Sequence, residues 1–256
     1  MTDSENKVYH SDVMEFIPKL ADNSIDLAIV DPPYNLHKCD WDKFVNEQAY
    51  FDFIFKWIDL LLPKINSNGS LYLFNTAYNS AVILNYLRHK EIEFKNWITW
   101  YKKDGLSTAK RKYVNAQETI LFFTKSNSHT FNYDDIRVPY TYPARKKGII
   151  KNGKRWFPNE NGKLCNDVWE ITSQRHKQKI NGKTQKPMHP TIKPHDMIER
   201  IILASSNEND VVLDLFSGSG TTSIISKKLN RRFIGCEREK EYIELIKNEG
   251  IEIGLL

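Results

Sequence analysis

VVLDLFSGSGTT, residues 211–222, sets an apolar run against an acid, then two glycines, then two threonines. A short β-branched run of this kind reads as a strand buried on both faces, ending at Asp214. Gly218 and Gly220 let the backbone turn sharply and approach a ligand, and the threonines open a helix. A helix start at that point offers unpaired N–H groups. Upstream, HDMIERIILASS (195–206) places Met197, Ile198, Ile201 and Ile202 on one helical face. Downstream, Ser223–Leu229 reads as a helix, RRFIGCE (231–237) as a strand, and the tail as a final helix.

The same alternation runs through the first half. Lys7–His10, Ile25–Val30, Leu71–Phe74, Lys95–Tyr101 and Glu118–Thr124 read as strands. Asp12–Leu20, Asn46–Ile65 and Tyr78–His89 read as helices, with SNGS (67–70) as a break. Strand–helix alternation predicts an α/β fold, a doubly wound and mostly parallel sheet covered by helices on both faces. Residues 126–188 lose the rhythm and are too long for a structureless loop, so they read as a small inserted recognition subdomain between halves 1–125 and 189–256. No internal repeat is visible.

Bulk properties narrow the function. The net charge is +5, but residues 101–190 hold 19 Lys and Arg against 7 Asp and Glu. That stretch therefore carries +12 and the remainder −7, which suits a polyanion on one face. Tyr113, Tyr133, Tyr140, Tyr142, Trp156, Phe157 and Trp169 lie among these charges, unlike an aromatic-poor disordered tail. Cys39, Cys165 and Cys236 have no metal-ligand spacing and read as reduced thiols, so no metal is expected. No run suits a membrane span, and the polar opening MTDSENKVYH does not read as a signal peptide, so a cytoplasmic location is expected.

In LAIVDPPYNL (27–36) a buried strand ends in Asp31, Pro32, Pro33 and Tyr34. The prolines stiffen the turn and remove two donors, so acceptors face a ligand: the Asp31 carboxylate and proline carbonyls. Acceptors suit an exocyclic amine, which offers two N–H bonds. They would localise its lone pair for attack on a methylsulfonium, with Tyr34 stacked on the base at ~1–3 kcal/mol. A base inside a duplex would have to be flipped out. By itself, Asp-Pro-Pro is more often a strand-ending turn.

The loop at 217–222 lacks the third glycine of a dinucleotide fingerprint and the lysine of a P-loop. An adenosine ligand without phosphates fits better, and S-adenosylmethionine is one. Glu237 ends the next strand, 17 residues after Gly220, and suits paired ribose hydroxyls.

DPPY, with LFSGSGTT later in the chain, resembles the amino-group DNA methyltransferases. The order of catalytic motif, basic insertion and cofactor motif resembles their β class, and stretches such as GSLYLFNT, NWITW and QETILFF resemble its type IIS adenine-N6 modification enzymes. The resemblance implies a site-specific DNA adenine-N6 methyltransferase of a restriction–modification system, with the permuted Rossmann-like fold. It implies catalytic roles for Asp31, Pro32, Pro33 and Tyr34. It implies cofactor contacts from Asp12, Asp31, Asp214, Phe216, Gly218, Ser219, Gly220, Thr221, Thr222 and Glu237, and from Lys193, with His189 and Thr191, in HPTIKP, where Ile192 replaces an often polar residue. Double-stranded DNA is the expected partner, with Lys102, Lys103, Lys110, Arg111, Arg145, Lys146, Lys147, Arg155, Arg175, His176 and Lys177 as candidate contacts. Arg137, Lys151 and Lys154 belong to the same basic set. A homodimer and a cognate restriction endonuclease, not stably bound, are compatible with it. Cytosine N4, RNA, and a catalytically silent binding module stay open as alternatives.

Overall fold

The structure is a computed structural model that describes residues 5–102, 110–142, 147–173, 178–180, 183–185 and 192–255. Its strands are β1 (Lys7–His10), β2 (Ile25–Val30), β3 (Ile65–Asn75), β4 (Glu93–Tyr101), β5 (Gln117–Thr124), β6 (Ile149–Lys151), β7 (Lys154–Trp156), β8 (Val168–Glu170), β9 (Gln178–Ile180), β10 (Lys183–Gln185), β11 (Val211–Asp214), β12 (Arg232–Glu237) and β13 (Glu252–Gly254). The helices are α1 (Val13–Phe16), α2 (Glu47–Leu61), α3 (Ala77–Leu87), α4 (His195–Ser205), α5 (Thr221–Lys228) and α6 (Lys240–Asn248).

Nine strands form one sheet in the order β13-β1-β12-β11-β2-β3-β5-β4-β8. From β13 to β3 every neighbouring pair is parallel, and β5 runs against both β3 and β4. The parallel strands are apolar on both faces because helices cover both. On one face, Tyr50, Ile54, Trp57, Ile58 and Leu61 of α2 pack on Ile25, Ala28, Val30 and Leu213. On the other, Met197, Ile198, Ile201 and Ile202 of α4 pack on Leu27, Ile29 and Val212. A smaller cluster joins Ile243 and Ile246 of α6 to Val8 and Phe233.

Local chemistry explains where elements stop. Asn46 caps α2 by accepting the Ala49 N–H at 2.8 Å. Pro63 follows its end within a 3-10 turn, Leu62–Lys64, so the helix expected to reach Ile65 gives way to strand there. SNGS is no break: β3 begins at Ile65 and runs through it, with a register shift against β2 between Ile25 and Leu27. Gly69 sits in that bulge, where a Cβ would lie 2.9 Å from the Ile25 carbonyl oxygen. Helix α1 lasts one turn because Pro18 diverts the chain into a second 3-10 turn. The tail adds a strand after its helix, β13, whose pairing with β1 leaves no local trace in the sequence.

The chain leaves β11 through α5 towards β12, but leaves β2 through α2 towards β3, on the other side. β11 and β2 are neighbours, so their carboxyl ends diverge into a crevice, which is where open α/β sheets bind ligands. Part of the basic segment joins the sheet. β8 pairs with β4, and Trp169 is buried against the α4 side of the core. β6 and β7 form a separate two-stranded ribbon, as do β9 and β10.

Candidate functional site

A cavity of about 410 Å³ opens at the crevice between β11 and β2, in the size range of small-molecule sites. Its lining includes Asp12, Asp31, Pro32, Pro33 and Tyr34 from the N-terminal half, and Phe216, Gly218 and Glu237 from the C-terminal half. A smaller adjoining cavity is lined by Asp214, Ser219, Thr221 and Thr222 and also touches Asp31, Lys193 and Gly218. The proline turn and the glycine bend therefore share one pocket, although more than 180 residues separate Asp31 from Gly218 in the sequence.

At the glycine corner, Gly218 and Gly220 have φ of 50° and 77°. Gly220 is the left-handed cap of α5, and a Cβ there would lie 3.0 Å from Ile246 of α6. Glu237 ties the bend to β12 through N–H bonds from Gly218 and Glu239, both at 2.7 Å. Burial raises its pKa, and these backbone donors partly counter the rise. Asp214 accepts the Phe216 N–H at 3.1 Å. Burial pushes its carboxyl up to about 7, against the pull of the Thr222 hydroxyl and that N–H. Asp12 caps α1 through the Met14 N–H at 2.8 Å and still lines the cavity. Asp12, Asp31, Asp214 and Glu237 around one pocket and its annex, with two glycines at the bend, fit a cationic adenosine ligand better than a phosphate.

At the proline corner, the Tyr34 hydroxyl donates to Asp31 Oδ1 at 2.6 Å, and Lys193 Nζ donates to Oδ2 at 2.5 Å. Lys193 thus stands against the acid of DPPY. Burial opposes its charge, but Asp31 and Glu118 outweigh that and raise its pKa. Tyr34 is held neutral, its pKa pushed well up by burial and by the Asp31 and Glu118 charges. Among the described residues no group of His, Cys, Asp and Glu could hold a metal ion, and the three cysteines are free thiols.

Two residues of this corner escaped sequence reading. Glu118 opens β5, and because β5 is antiparallel its start lies at the edge where the parallel strands end. Its carboxylate pairs with Lys102 and lies 3.6 Å from Lys193. Burial would raise its pKa, but Lys193 and Lys102 bring it below the ordinary glutamate value. Asp42 is 3% exposed and gathers the loop after DPPY. It accepts N–H bonds from Tyr34 (2.7 Å), Asn35 (2.8 Å), Leu36 (3.0 Å) and Lys38 (3.3 Å). Asn35 and His37 in that loop take left-handed φ of 57° and 58°. An acid a few residues beyond DPPYN was the only available signal. Asn79, on α3, braces the turn from behind by donating to the Tyr34 carbonyl at 2.9 Å.

The candidate DNA contacts scatter. Lys110, Arg111, Lys147 and Arg155 are exposed. Lys102 is engaged with Glu118 and lies 4.2 Å over the Trp100 ring. Arg137 pairs with Asp134 at 2.6 Å. Lys103, Arg145, Lys146, Arg175, His176 and Lys177 lie outside the described residues, as do His189 and Thr191 of HPTIKP.

The sequence profile of the DNA methylase family N6_N4_Mtase matches residues 25–248, a span that takes in both corners of the pocket. The chain belongs to the DNA methylase family. It is 55% identical over 243 residues to the type II methyltransferase M1.MboII of Moraxella bovis, covering 93% of this chain and 94% of that one. It is 38% identical to the type II methyltransferase M.HpaI of Haemophilus parainfluenzae, over 95% of this chain and 73% of the relative. Among solved structures, the M1.HpyAVI–SAM complex superposes with a TM-score of 0.66 at 27% identity, covering 95% and 98% of the two chains. The cytosine-N4-specific PvuII DNA methyltransferase superposes with a TM-score of 0.73 at 16% identity, covering 97% and 89%, and shares the fold. The order of DPPY before the glycine bend is thus the order of a methylase family member, with the Rossmann-like sheet expected from the sequence.

Proposed function

We propose that this DNA methylase is a type II modification enzyme that transfers a methyl group from S-adenosylmethionine to adenine N6 in a short duplex sequence. The observation that carries the reading is the pocket at the switch point, where acceptors on a rigid proline turn face an acid-lined glycine bend. The SAM complex of M1.HpyAVI supports the cofactor, and the kinship to M1.MboII supports membership of a restriction–modification system. Adenine is favoured by the acid of DPPY, since the fold alone accommodates cytosine-N4 enzymes as well.

S-adenosylmethionine, when bound, supplies an electrophilic methyl group. Glu237 would take the ribose hydroxyls, Asp12 the adenine end, and Asp214 and Asp31 would face the positive charge. Asp31 keeps lone pairs beyond those used by Tyr34 and Lys193, because a carboxylate has about four acceptor sites. One of these and a proline carbonyl would hold the two amine hydrogens of a flipped base. Holding them fixes the direction of the nitrogen lone pair, so the gain is one of orientation and electrostatics. Lys193 and the Tyr34 hydroxyl fix the carboxylate plane from two sides. A cytoplasmic site of action, with a separate cognate endonuclease, follows from the same reading.

Asp31→Ala should abolish methyl transfer while leaving duplex affinity nearly unchanged. Normal turnover in that variant would remove the mechanism. Nucleoside analysis of methylated duplex should yield N6-methyladenine; a product containing only N4-methylcytosine would overturn the adenine assignment.

A further inference from the structure

The ribbon of β6 and β7 stands apart from the nine-stranded sheet. Its residues from Ile150 to Phe157 are all exposed, with Ile150 at 74%, Trp156 at 56% and Phe157 at 62%. An isolated two-stranded hairpin that buries no apolar surface is marginally stable at best. Its turn is well specified: Asn152 and Gly153 have φ of 52° and 73°, the left-handed pair of a tight hairpin turn. The same Asn-Gly turn places Lys151 directly opposite Lys154. Like charges directly opposite each other on a ribbon are destabilising. From residue 147 to 159 the chain holds Lys147, Lys151, Lys154 and Arg155, with no Asp or Glu to offset them.

Side chains of directly paired residues, and of residues two apart, share a face of a ribbon. Lys151, Lys154 and Trp156 therefore share one face, and Ile150 and Arg155 the other. An exposed ribbon with an uncompensated lysine pair at its tip and an aromatic one step behind lacks two things, a negative charge between the lysines and a surface against the indole. Duplex DNA offers both, and its major groove admits a two-stranded β-ribbon.

We propose that the β6–β7 ribbon enters a groove of the target duplex, with Lys151 and Lys154 straddling backbone phosphate and Trp156 lying against base edges. The proposal rests on the duplex substrate assigned above. It divides the labour within the ribbon: the lysines supply affinity without sequence information, and the indole supplies discrimination.

The test compares the full-length protein with the double variant Lys151→Gln, Lys154→Gln and with Trp156→Ala. Two duplex fragments serve as probes, one that the wild-type protein methylates and one that it does not. The lysine variant should weaken binding to both fragments by the same factor. It should flatten the plot of log affinity against log salt by about 1.8, at about 0.9 per lost phosphate contact. Its melting temperature without DNA should hold or rise, since the opposed charges are gone. Trp156→Ala should leave the salt slope unchanged and shrink the preference for the methylated fragment roughly fivefold to a hundredfold. Both variants should keep the melting shift induced by S-adenosylmethionine. An unchanged salt slope in the lysine variant overturns the docking. An unchanged preference in Trp156→Ala overturns base reading by the indole. A wild-type protein that methylates no duplex in a library of fragments overturns the duplex substrate itself, and the ribbon proposal with it.

Discussion

Replacing Asp214 by Asn isolates the electrostatic cost of the glycine corner. Asp214 closes β11 at 6% exposure, and burial pushes its carboxyl from 3.8 up to about 7. Between those values the folded chain keeps a proton that the unfolded chain has released. Stability from the neutral carboxyl is therefore fully present below the unfolded pKa and lost as pH rises through the folded one. A tenfold difference in proton affinity between the folded and unfolded chains is worth about 1.4 kcal/mol, so the loss is on the order of 2 kcal/mol at pH 5 and 4 kcal/mol at pH 8. Asparagine has nearly the same shape, can accept the Phe216 N–H, and cannot ionise. Asp214→Asn should thus be more stable than the wild type by a margin that grows by about 2–3 kcal/mol between those two pH values. Urea unfolding of both proteins without cofactor, at pH 5 and pH 8, measures it. A margin that does not change with pH would refute the reasoning. The same acid should make S-adenosylmethionine bind more tightly as pH rises towards 8, because a positive ligand favours the ionised carboxyl.

The other two predictions separate binding from chemistry. Glu237→Gln removes the charge that would hold the ribose hydroxyls, and should raise the dissociation constant for S-adenosylmethionine roughly tenfold to a hundredfold, from the ~1.5–3 kcal/mol of charged hydrogen bonds; calorimetry showing an unchanged constant would place the ribose partner elsewhere. Asp42→Asn replaces one accepting oxygen by a donor beneath the Tyr34–Lys38 loop, facing N–H groups at 2.7–3.3 Å. It should lower kcat more than tenfold, at ~1.5 kcal/mol or more for each charged bond lost, while the cofactor-induced melting shift persists; full turnover would show that the loop needs no anchor.

The α/β alternation was legible because parallel strands buried on both faces are dominated by apolar residues, as IDLAIV and VVLD are apart from Asp26 and the terminal Asp214. The glycine bend was legible because a left-handed helix cap excludes most residues, and Gly220 is such a cap. DPPY was legible because two prolines after a strand leave acceptors and few donors. Glu118 was not legible. ETILFF reads as a strand whichever way it runs, and its glutamate joins the site only because β5 is antiparallel. Lys102 read as a surface clamp for the same reason, since its partner comes from a strand 16 residues on.

The sequence alone determined what is set within a few neighbouring residues: which segments are strands, where a proline or glycine forces a turn, which side chains have the chemistry for amine and adenosine ligands. Only the tertiary structure decided who meets whom. The pairing of β11 with β2, the edge on which Glu118 emerges, the return of the tail as β13 beside β1, and the placement of Lys193 against Asp31 all depend on contacts between distant segments. Those contacts are chosen by the burial of whole faces, and burial of a face is a property of the assembled sheet that no local window contains.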